Sequence, residues 1–113
     1  MTFVPEIDRR QDIPAHAQIA AQFRRAILAG RLAPGDRLPT VRDLARRVGV
    51  NTNTIARAYS SLASERLIET RRGGGSIVAA DATARLARAR DAQLQQLVDD
   101  LVARAVALGF SID

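Results

Sequence analysis

The segment GVNTNTIARAYSSL, residues 49–62, holds the side chains of this chain that are best suited to binding another molecule. Asn51, Thr52, Asn53 and Thr54 open it in succession, and their amides and hydroxyls both donate and accept hydrogen bonds. At a helix N-terminus, where backbone N–H groups are also free, such side chains bind phosphates and the edges of bases. Helix capping is the alternative explanation, although a cap needs only one such residue. These four residues alone leave both explanations open.

The residues that follow predict a helix with two unlike faces. Ile55, Tyr59 and Leu62 are spaced four and three apart, as on the buried face of a helix. The opposite face carries polar residues at steps of four, three and four: Asn53, Arg57, Ser60 and Ser64. Asparagine can read adenine and arginine can read guanine through paired hydrogen bonds, while Ser and Thr bind phosphates or bases. A face of this composition predicts contact with nucleic acid.

Positive charge is concentrated around this segment. The chain has a formal net charge of +5, and all 17 of its basic residues are Arg. Residues 9–72 hold 13 of them against five acidic residues, a balance of +8, whereas residues 73–113 hold four against five. An uneven distribution of this kind is the electrostatic footprint of a protein that binds a polyanion. A merely solvated basic face is the alternative that composition leaves open.

The composition argues against an enzyme and against a metal or cofactor site. The chain has no Cys and no Lys, and its one His, His16, is interpreted as a packed or surface residue of the first helix. The acidic residues are scattered without an obvious pair, so few groups remain for acid–base or nucleophilic catalysis. No apolar run reaches membrane-spanning length and the first residues do not resemble a signal peptide, so we expect a cytoplasmic protein with no membrane partner.

The order of the other elements predicts how the polar segment is positioned. At 113 residues the chain fits one domain, or one small domain with an appended element, and with 4% aromatic residues its core must be aliphatic. Residues 1–12 predict an extended arm. A helix over residues 14–29 follows, with an apolar residue at every fourth position: Ile19, Phe23 and Ile27.

A second, short helix precedes the polar segment. Its apolar residues fall at i, i+3, i+4 and i+7: Val41, Leu44, Ala45 and Val48. Thr40 is expected to cap this helix, with Asp43 in the place that Glu usually takes in a capping box. Gly49 ends it, and the polar helix begins almost at once. Two short helices joined by a tight turn form a helix-turn-helix pattern. A generic αα-hairpin also fits, but its second helix should not begin with a polar cluster.

The stretch LIETRRGGGSIVA predicts a β-hairpin with strands at about residues 67–71 and 76–79. Leu67, Glu69 and Arg71 alternate with Ile68 and Thr70, as in a half-buried strand. The turn between the strands is rich in arginine and glycine. A plain hairpin turn is one interpretation, and a flexible basic wing that follows a DNA backbone is the other, which the paired arginines favour.

Residues 82–108 predict a last helix without internal Pro or Gly. Its apolar stripe is too wide for a small domain to cover alone, which indicates a partner helix. A helix packed back on its own domain is the alternative. The expected dimerisation residues are Leu86, Leu94, Leu97, Val98, Leu101, Val102, Ala105 and Leu108.

The run ILAGRLAPGDRLPTVRDLARRVGVNTNTIARAYSSLASERLIETRRGGGSIV resembles the winged helix-turn-helix domain of the GntR family of bacterial transcription regulators, and its VNTNTIARAY variant resembles the YtrA-like branch. The resemblance implies a mainly α fold with a small β-hairpin. It also implies a homodimer that binds a near-palindromic operator in double-stranded DNA, usually as a repressor. We therefore expect an N-terminal arm at 1–12, a winged helix-turn-helix domain at 13–80 and a C-terminal helical dimerisation element at 81–113.

By the same resemblance, the DNA-binding residues lie at the start of the second helix, in the polar cluster and in the wing: Thr40, Arg42, Asn51, Thr52, Asn53, Thr54, Arg57, Arg71, Arg72 and Gly73. Many members have Arg where this chain has Thr52 and Ala56, and the nearest Arg here is Arg57. The base contacts of other branches therefore do not transfer directly.

A ligand-responsive repressor is the second functional class that the sequence leaves open. A small-molecule effector of unknown identity would then bind a site shared across the dimer, because the C-terminal tail is too short to enclose a cavity by itself. An aromatic-lined pocket would mark such a site, and Phe110 is the one aromatic residue in this tail.

Overall fold

A computed structural model of the chain describes residues 3–73 and 75–111. These residues form four helices and a two-stranded antiparallel hairpin, so the predicted fold class is confirmed. In chain order the elements are α1 (Ala15–Leu28), α2 (Val41–Val48), α3 (Thr52–Ser64), β1 (Ile68–Arg71), β2 (Gly75–Val78) and α4 (Ala82–Ala107).

The core lies between α1 and α3, and the predicted helix periodicities account for it. Ile19, Phe23 and Ile27 of α1 are fully buried, as are Ile55 and Leu62 of α3. Three of the four aromatic rings meet edge to face in this core, where the ring centroid of Phe23 lies 5.2 Å from that of Phe3 and 5.9 Å from that of Tyr59. Such pairs add about 0.5–1.5 kcal/mol to the burial of their area.

Residues 3–8 of the N-terminal arm are bound along α1 by two glutamine side chains. The Gln22 amide accepts from the Glu6 N–H at 2.9 Å and donates to the Glu6 carbonyl at 2.6 Å. The Gln18 amide does the same at Asp8, at 2.8 Å and 3.0 Å. Each side chain thus pairs with the extended backbone as a neighbouring strand would. Phe3 is buried in the core, so this part of the arm belongs to the packed domain. The backbone of residues 9–12 turns and is not extended as predicted.

Helix α2 is capped at both ends, and its C-terminal cap forms the turn to α3. The Thr40 hydroxyl accepts from the Asp43 N–H at 3.1 Å, as expected for a capping residue. The Asp43 carboxylate accepts from Arg46 at 2.7 Å, which directs it along the helix surface. At the other end Gly49 takes a left-handed conformation with φ of 81°, and the Val50 N–H donates to the Ala45 carbonyl. This fixed turn sets the angle at which α3 leaves α2.

The hairpin is extended by the linker that precedes α2. Strand β1 pairs with β2 from Ile68 opposite Val78 to Arg71 opposite Gly75. Arg37 forms an isolated bridge to Ile77, which the sequence did not predict. Leu67 and Ile68 are both buried, so the predicted alternation of buried and exposed side chains fails at the start of β1. The reason is that Leu67 belongs to the turn that follows α3 and not to the strand.

Helix α4 projects from the domain. It has 26 residues, which at about 1.5 Å per residue makes a rod of about 39 Å. Ala82 is buried, and Leu86 packs partly against the core of its own domain rather than lying on the exposed stripe. The radius of gyration is 17.7 Å, whereas a compact chain of about this length has about 13 Å. The distal part of α4 therefore extends beyond the domain.

One residue at the end of α3 carries backbone strain. Arg66 has φ of +62°, the left-handed conformation in which glycine is usual after a helix. A side chain in this conformation costs about 1–2 kcal/mol. Arg66→Gly removes this strain, but glycine also loses more conformational entropy on folding. We therefore expect a net increase of about 0.5–1 kcal/mol in the free energy of unfolding, measured by urea denaturation. Ala63→Gly, a substitution inside the last turn of α3, should instead lower it by about 1 kcal/mol. If Arg66→Gly lowers the free energy of unfolding, the claim that Arg66 is strained is wrong.

Candidate nucleic-acid interface

The outer face of α3 is exposed over its first three turns, and its inner face is fixed in the core. Residues of the outer face reach solvent: Thr52, Asn53, Ala56, Arg57, Ser60 and Ser64. Ile55 and Leu62 are fully buried behind them. The predicted division of this helix into a packed face and a polar face is thus confirmed by the burial pattern.

Capping explains one residue of the polar cluster but not the others. Asn51 is the N-cap of α3, and its side-chain oxygen accepts from the Asn53 N–H at 2.7 Å. Thr54 is half-buried. The side chains of Thr52 and Asn53 are exposed and make no hydrogen bond or ion pair within the described residues. Capping therefore accounts for Asn51, and the exposed side chains of Thr52 and Asn53 are left available for contact with another molecule.

A buried tyrosine fixes α3 relative to the start of α2. The Tyr59 hydroxyl donates to the Pro39 carbonyl at 2.7 Å. Burial raises the pKa of Tyr59 well above its ordinary value, so the hydroxyl stays a neutral donor. The next residues along the chain are Thr40 and Val41, followed by Arg42, which is exposed on the first turn of α2. This bond thus connects two of the regions that were predicted to contact DNA.

An ion pair holds the far end of α3 on α1. Arg24 donates to both carboxylate oxygens of Glu65, at 2.6 Å and 2.8 Å, and its guanidinium also reaches the Ser61 hydroxyl at 3.5 Å. Both partners are partly exposed, so the pair contributes little to stability. Its two-point geometry connects the C-terminal end of α3 to α1.

The wing carries two further exposed cationic side chains. Arg71 lies 3.6 Å from Glu69 in an exposed ion pair. Arg72 is exposed and makes no bond to any residue that the structure describes, and Gly73 beside it takes φ of +70°. Gly74, the middle glycine of the predicted turn, lies outside the described residues.

The structure also brings His16 to this surface, a position that the sequence does not predict. Asn53, Arg57 and Ser60 line a shallow groove with His16, from the first turn of α1. The separation of about 40 residues between His16 and α3 hides this contact from any local pattern. Only knowledge that α1 packs on α3 in the core could have suggested it.

A second groove lies where α4 joins the domain. Its walls are Leu28 of α1, Leu67 after α3, and Leu86 and Ala89 of α4, with Arg24 at its rim. The lining contains no aromatic side chain, so the feature expected of a shared effector site is not found here.

The described residues hold no group of three or more His, Cys, Asp or Glu side chains that would bind a metal ion. Within the same residues no helix is both long enough and apolar enough to cross a bilayer.

Comparison with known proteins identifies relatives of the same architecture. Residues 15–78 match the family described as "Bacterial regulatory proteins, gntR family". The HTH-type transcriptional repressor YtrA of Bacillus subtilis (strain 168) is 33% identical over 108 residues, which cover 96% of this chain and 83% of that protein.

Two solved structures extend the comparison. YtrA from Sulfolobus acidocaldarius, a GntR-family transcription factor, matches with a TM-score of 0.69 at 30% identity and covers 93% of this chain and 99% of its own. AraR(DBD), solved in complex with operator ORX1, matches with a TM-score of 0.62 at 26% identity, over 70% of this chain and 100% of its own. The relatives are transcription regulators rather than enzymes. This chain therefore belongs to the GntR family of bacterial regulatory proteins, as a YtrA-like transcription regulator with a winged helix-turn-helix DNA-binding domain.

Proposed function

We propose that this protein represses transcription as a homodimer that binds a near-palindromic operator, with one α3 in the major groove of each half-site. The observation that carries the proposal is the outer face of α3, where the side chains of Asn53 and Arg57 are exposed while the inner face is locked in the core. The name of the Bacillus relative, a repressor, supports the direction of regulation. The operator complex of AraR(DBD) supports the kind of partner. A protein that binds chromosomal DNA in a bacterium works in the cytoplasm, which is the location we propose.

Base reading is assigned to Asn53 and Arg57. A guanidinium binds guanine through two hydrogen bonds, and a carboxamide binds adenine in the same way. Arg42 is unpaired among the described residues and lies at the N-terminal turn of α2, so it contacts either a base or a phosphate. Thr40, Asn51, Thr52 and Thr54 supply further phosphate or base contacts.

Positioning on the duplex is assigned to the wing. Arg72, beside Arg71 and Gly73, projects from the hairpin turn without an internal partner among the described residues. It binds the sugar-phosphate backbone or the minor groove. Contacts of this kind fix the protein on the duplex but carry no sequence information directly.

The distal part of α4 supplies the proposed dimer contact. Leu94, Leu97, Leu101 and Leu108 are 60%, 66%, 68% and 78% exposed. Ala105 lies on the same stripe, and Val98, Val102 and Val106 widen it. Burying each large side chain is worth about 1.5–3 kcal/mol, so self-association is favoured. An isologous two-fold contact would place the two recognition helices about 34 Å apart, one turn of DNA.

Two alanine variants should separate reading from positioning. Arg57→Ala is expected to weaken operator binding by about 1–3 kcal/mol and to relax the preference at one base pair. Arg72→Ala should weaken binding to all sequences alike and reduce the salt slope by about 1 for each protomer. Titration of both variants with operator and with scrambled duplex measures the difference. An Arg57→Ala protein that loses equally on both duplexes would show that Arg57 is not a reader.

A further inference from the structure

Beside α3 the structure places a histidine that lies outside the hydrophobic core. His16, the second residue of α1, is half-buried and lines the groove that it shares with Asn53, Arg57 and Ser60. Its imidazole makes no hydrogen bond or ion pair with any residue that the structure describes. The groove opens on the side of the domain that carries the proposed base readers.

We propose that His16 binds a DNA phosphate next to the base pairs that α3 reads, and that it does so most strongly when protonated, so that operator affinity rises as the pH falls. The inference rests on the proposed function, because it requires the outer face of α3 to lie in the major groove. It adds a contact from α1, an element to which the sequence analysis assigned no part in binding.

The charges around the groove favour an anion in it. Arg57 faces His16 from α3, and no carboxylate lines the groove among the described residues. Beyond Ser61, the carboxylate of Glu65 already accepts two hydrogen bonds from Arg24. Protonated His16 and Arg57 would repel each other across the groove with nothing between them. A phosphate bound by His16 offsets that repulsion and gains a charge-assisted hydrogen bond from the imidazolium, while the Arg57 guanidinium remains available for a base.

The chain is well suited to a titration experiment. Histidine changes charge between about pH 5 and pH 8, and His16 is the one His of a chain without Cys or Lys. Each phosphate that a cation neutralises adds about 0.9 to the slope of log affinity against log salt. We expect the wild-type operator slope to be steeper at about pH 6 than at about pH 8, by about 0.9 for each protomer.

Three variants assign that difference. Gln is neutral at both pH values, so His16→Gln should show the same salt slope at both. Any pH effect from the terminal amine is present in this variant as well and can be subtracted from that of the wild type. His16→Arg, charged throughout, should show the steep slope at both. His16→Gln combined with Ala17→His moves the imidazole to the side of α1 that faces Glu6 and Asp8, away from α3. That combination should behave as His16→Gln does.

A wild-type slope that is the same at both pH values would overturn the proposal, whether or not any variant folds. An equal change of slope in the wild type and in His16→Gln would overturn it as well. Absence of sequence-specific binding by the wild type at both pH values would contradict the proposed function instead.

Discussion

Replacing both Leu97 and Leu101 with Asp is expected to give a monomer that keeps its winged-helix fold and binds operator about 10²–10⁴-fold more weakly. The two leucines are 66% and 68% exposed and lie outside the core cluster, so the domain does not need them for folding. In a dimer they would meet the same stripe of the partner, where paired carboxylates are strongly unfavourable. Loss of the dimer turns one bivalent contact into a single half-site contact. Sedimentation velocity at micromolar concentration and an operator titration measure the two effects.

A matched control changes the same chemistry on the other side of the helix. Ala92 and Gln96 are exposed and four residues apart, as Leu97 and Leu101 are, but they lie on the face of α4 opposite the stripe. Replacing both with Asp should leave the protein dimeric, with only a modest loss of affinity from the added negative charge. If the leucine variant is still a dimer, or is a monomer with full operator affinity, the assignment of α4 is wrong.

Operator affinity is expected to fall about a thousandfold or more between about 50 and 200 mM salt. The reason is the formal net charge of +8 over residues 9–72. Many of the arginines that supply it are exposed around α2, α3 and the wing. A dimer that touches about 6–10 phosphates releases the counterions condensed on them, and added salt opposes that release. Fluorescence anisotropy with a labelled operator measures the slope. Sedimentation over the same salt range checks that the dimer itself is stable, and a flat binding response would contradict contact with a nucleic-acid backbone.

The helices were predictable because their signals are local. The apolar spacing of Ile19, Phe23 and Ile27 predicts α1, and each end of the observed helix differs from the prediction by one residue. Thr40 and Asn51 cap α2 and α3 through their own side chains, and Gly49 ends α2 in the left-handed conformation. Caps and periodicity act within a few residues, so sequence is sufficient to locate them.

The contacts that join distant segments were not predictable in this way. The Gln18 and Gln22 amides bind the backbone of the arm, and a backbone partner leaves no mark on the sequence of the segment that it pairs with. The bridge from Arg37 to Ile77 also depends on backbone groups. His16 reaches the surface of α3 because α1 and α3 share a core, and the position of a polar side chain at the edge of that core depends on how the helices pack.

In the proposed site, too, features set by the local helix period were predictable and features set by packing were not. The outer face of α3 follows from the helix period, so Asn53, Arg57 and Ser60 were correctly placed together. Leu86 was grouped with the dimer stripe because it is a large apolar residue of the same helix. It packs partly on its own domain because it lies about one turn after buried Ala82, close to where α4 leaves the core.

Selection of random-sequence duplexes by the purified protein tests the central claim most directly. A homodimer that places one α3 in each of two major grooves should enrich an inverted repeat, with half-site centres about 10–10.5 base pairs apart. Arg57→Ala should lose the preference at one position in each half of that repeat. An enriched element without two-fold symmetry, or a pool with no enrichment over the input, would contradict the account.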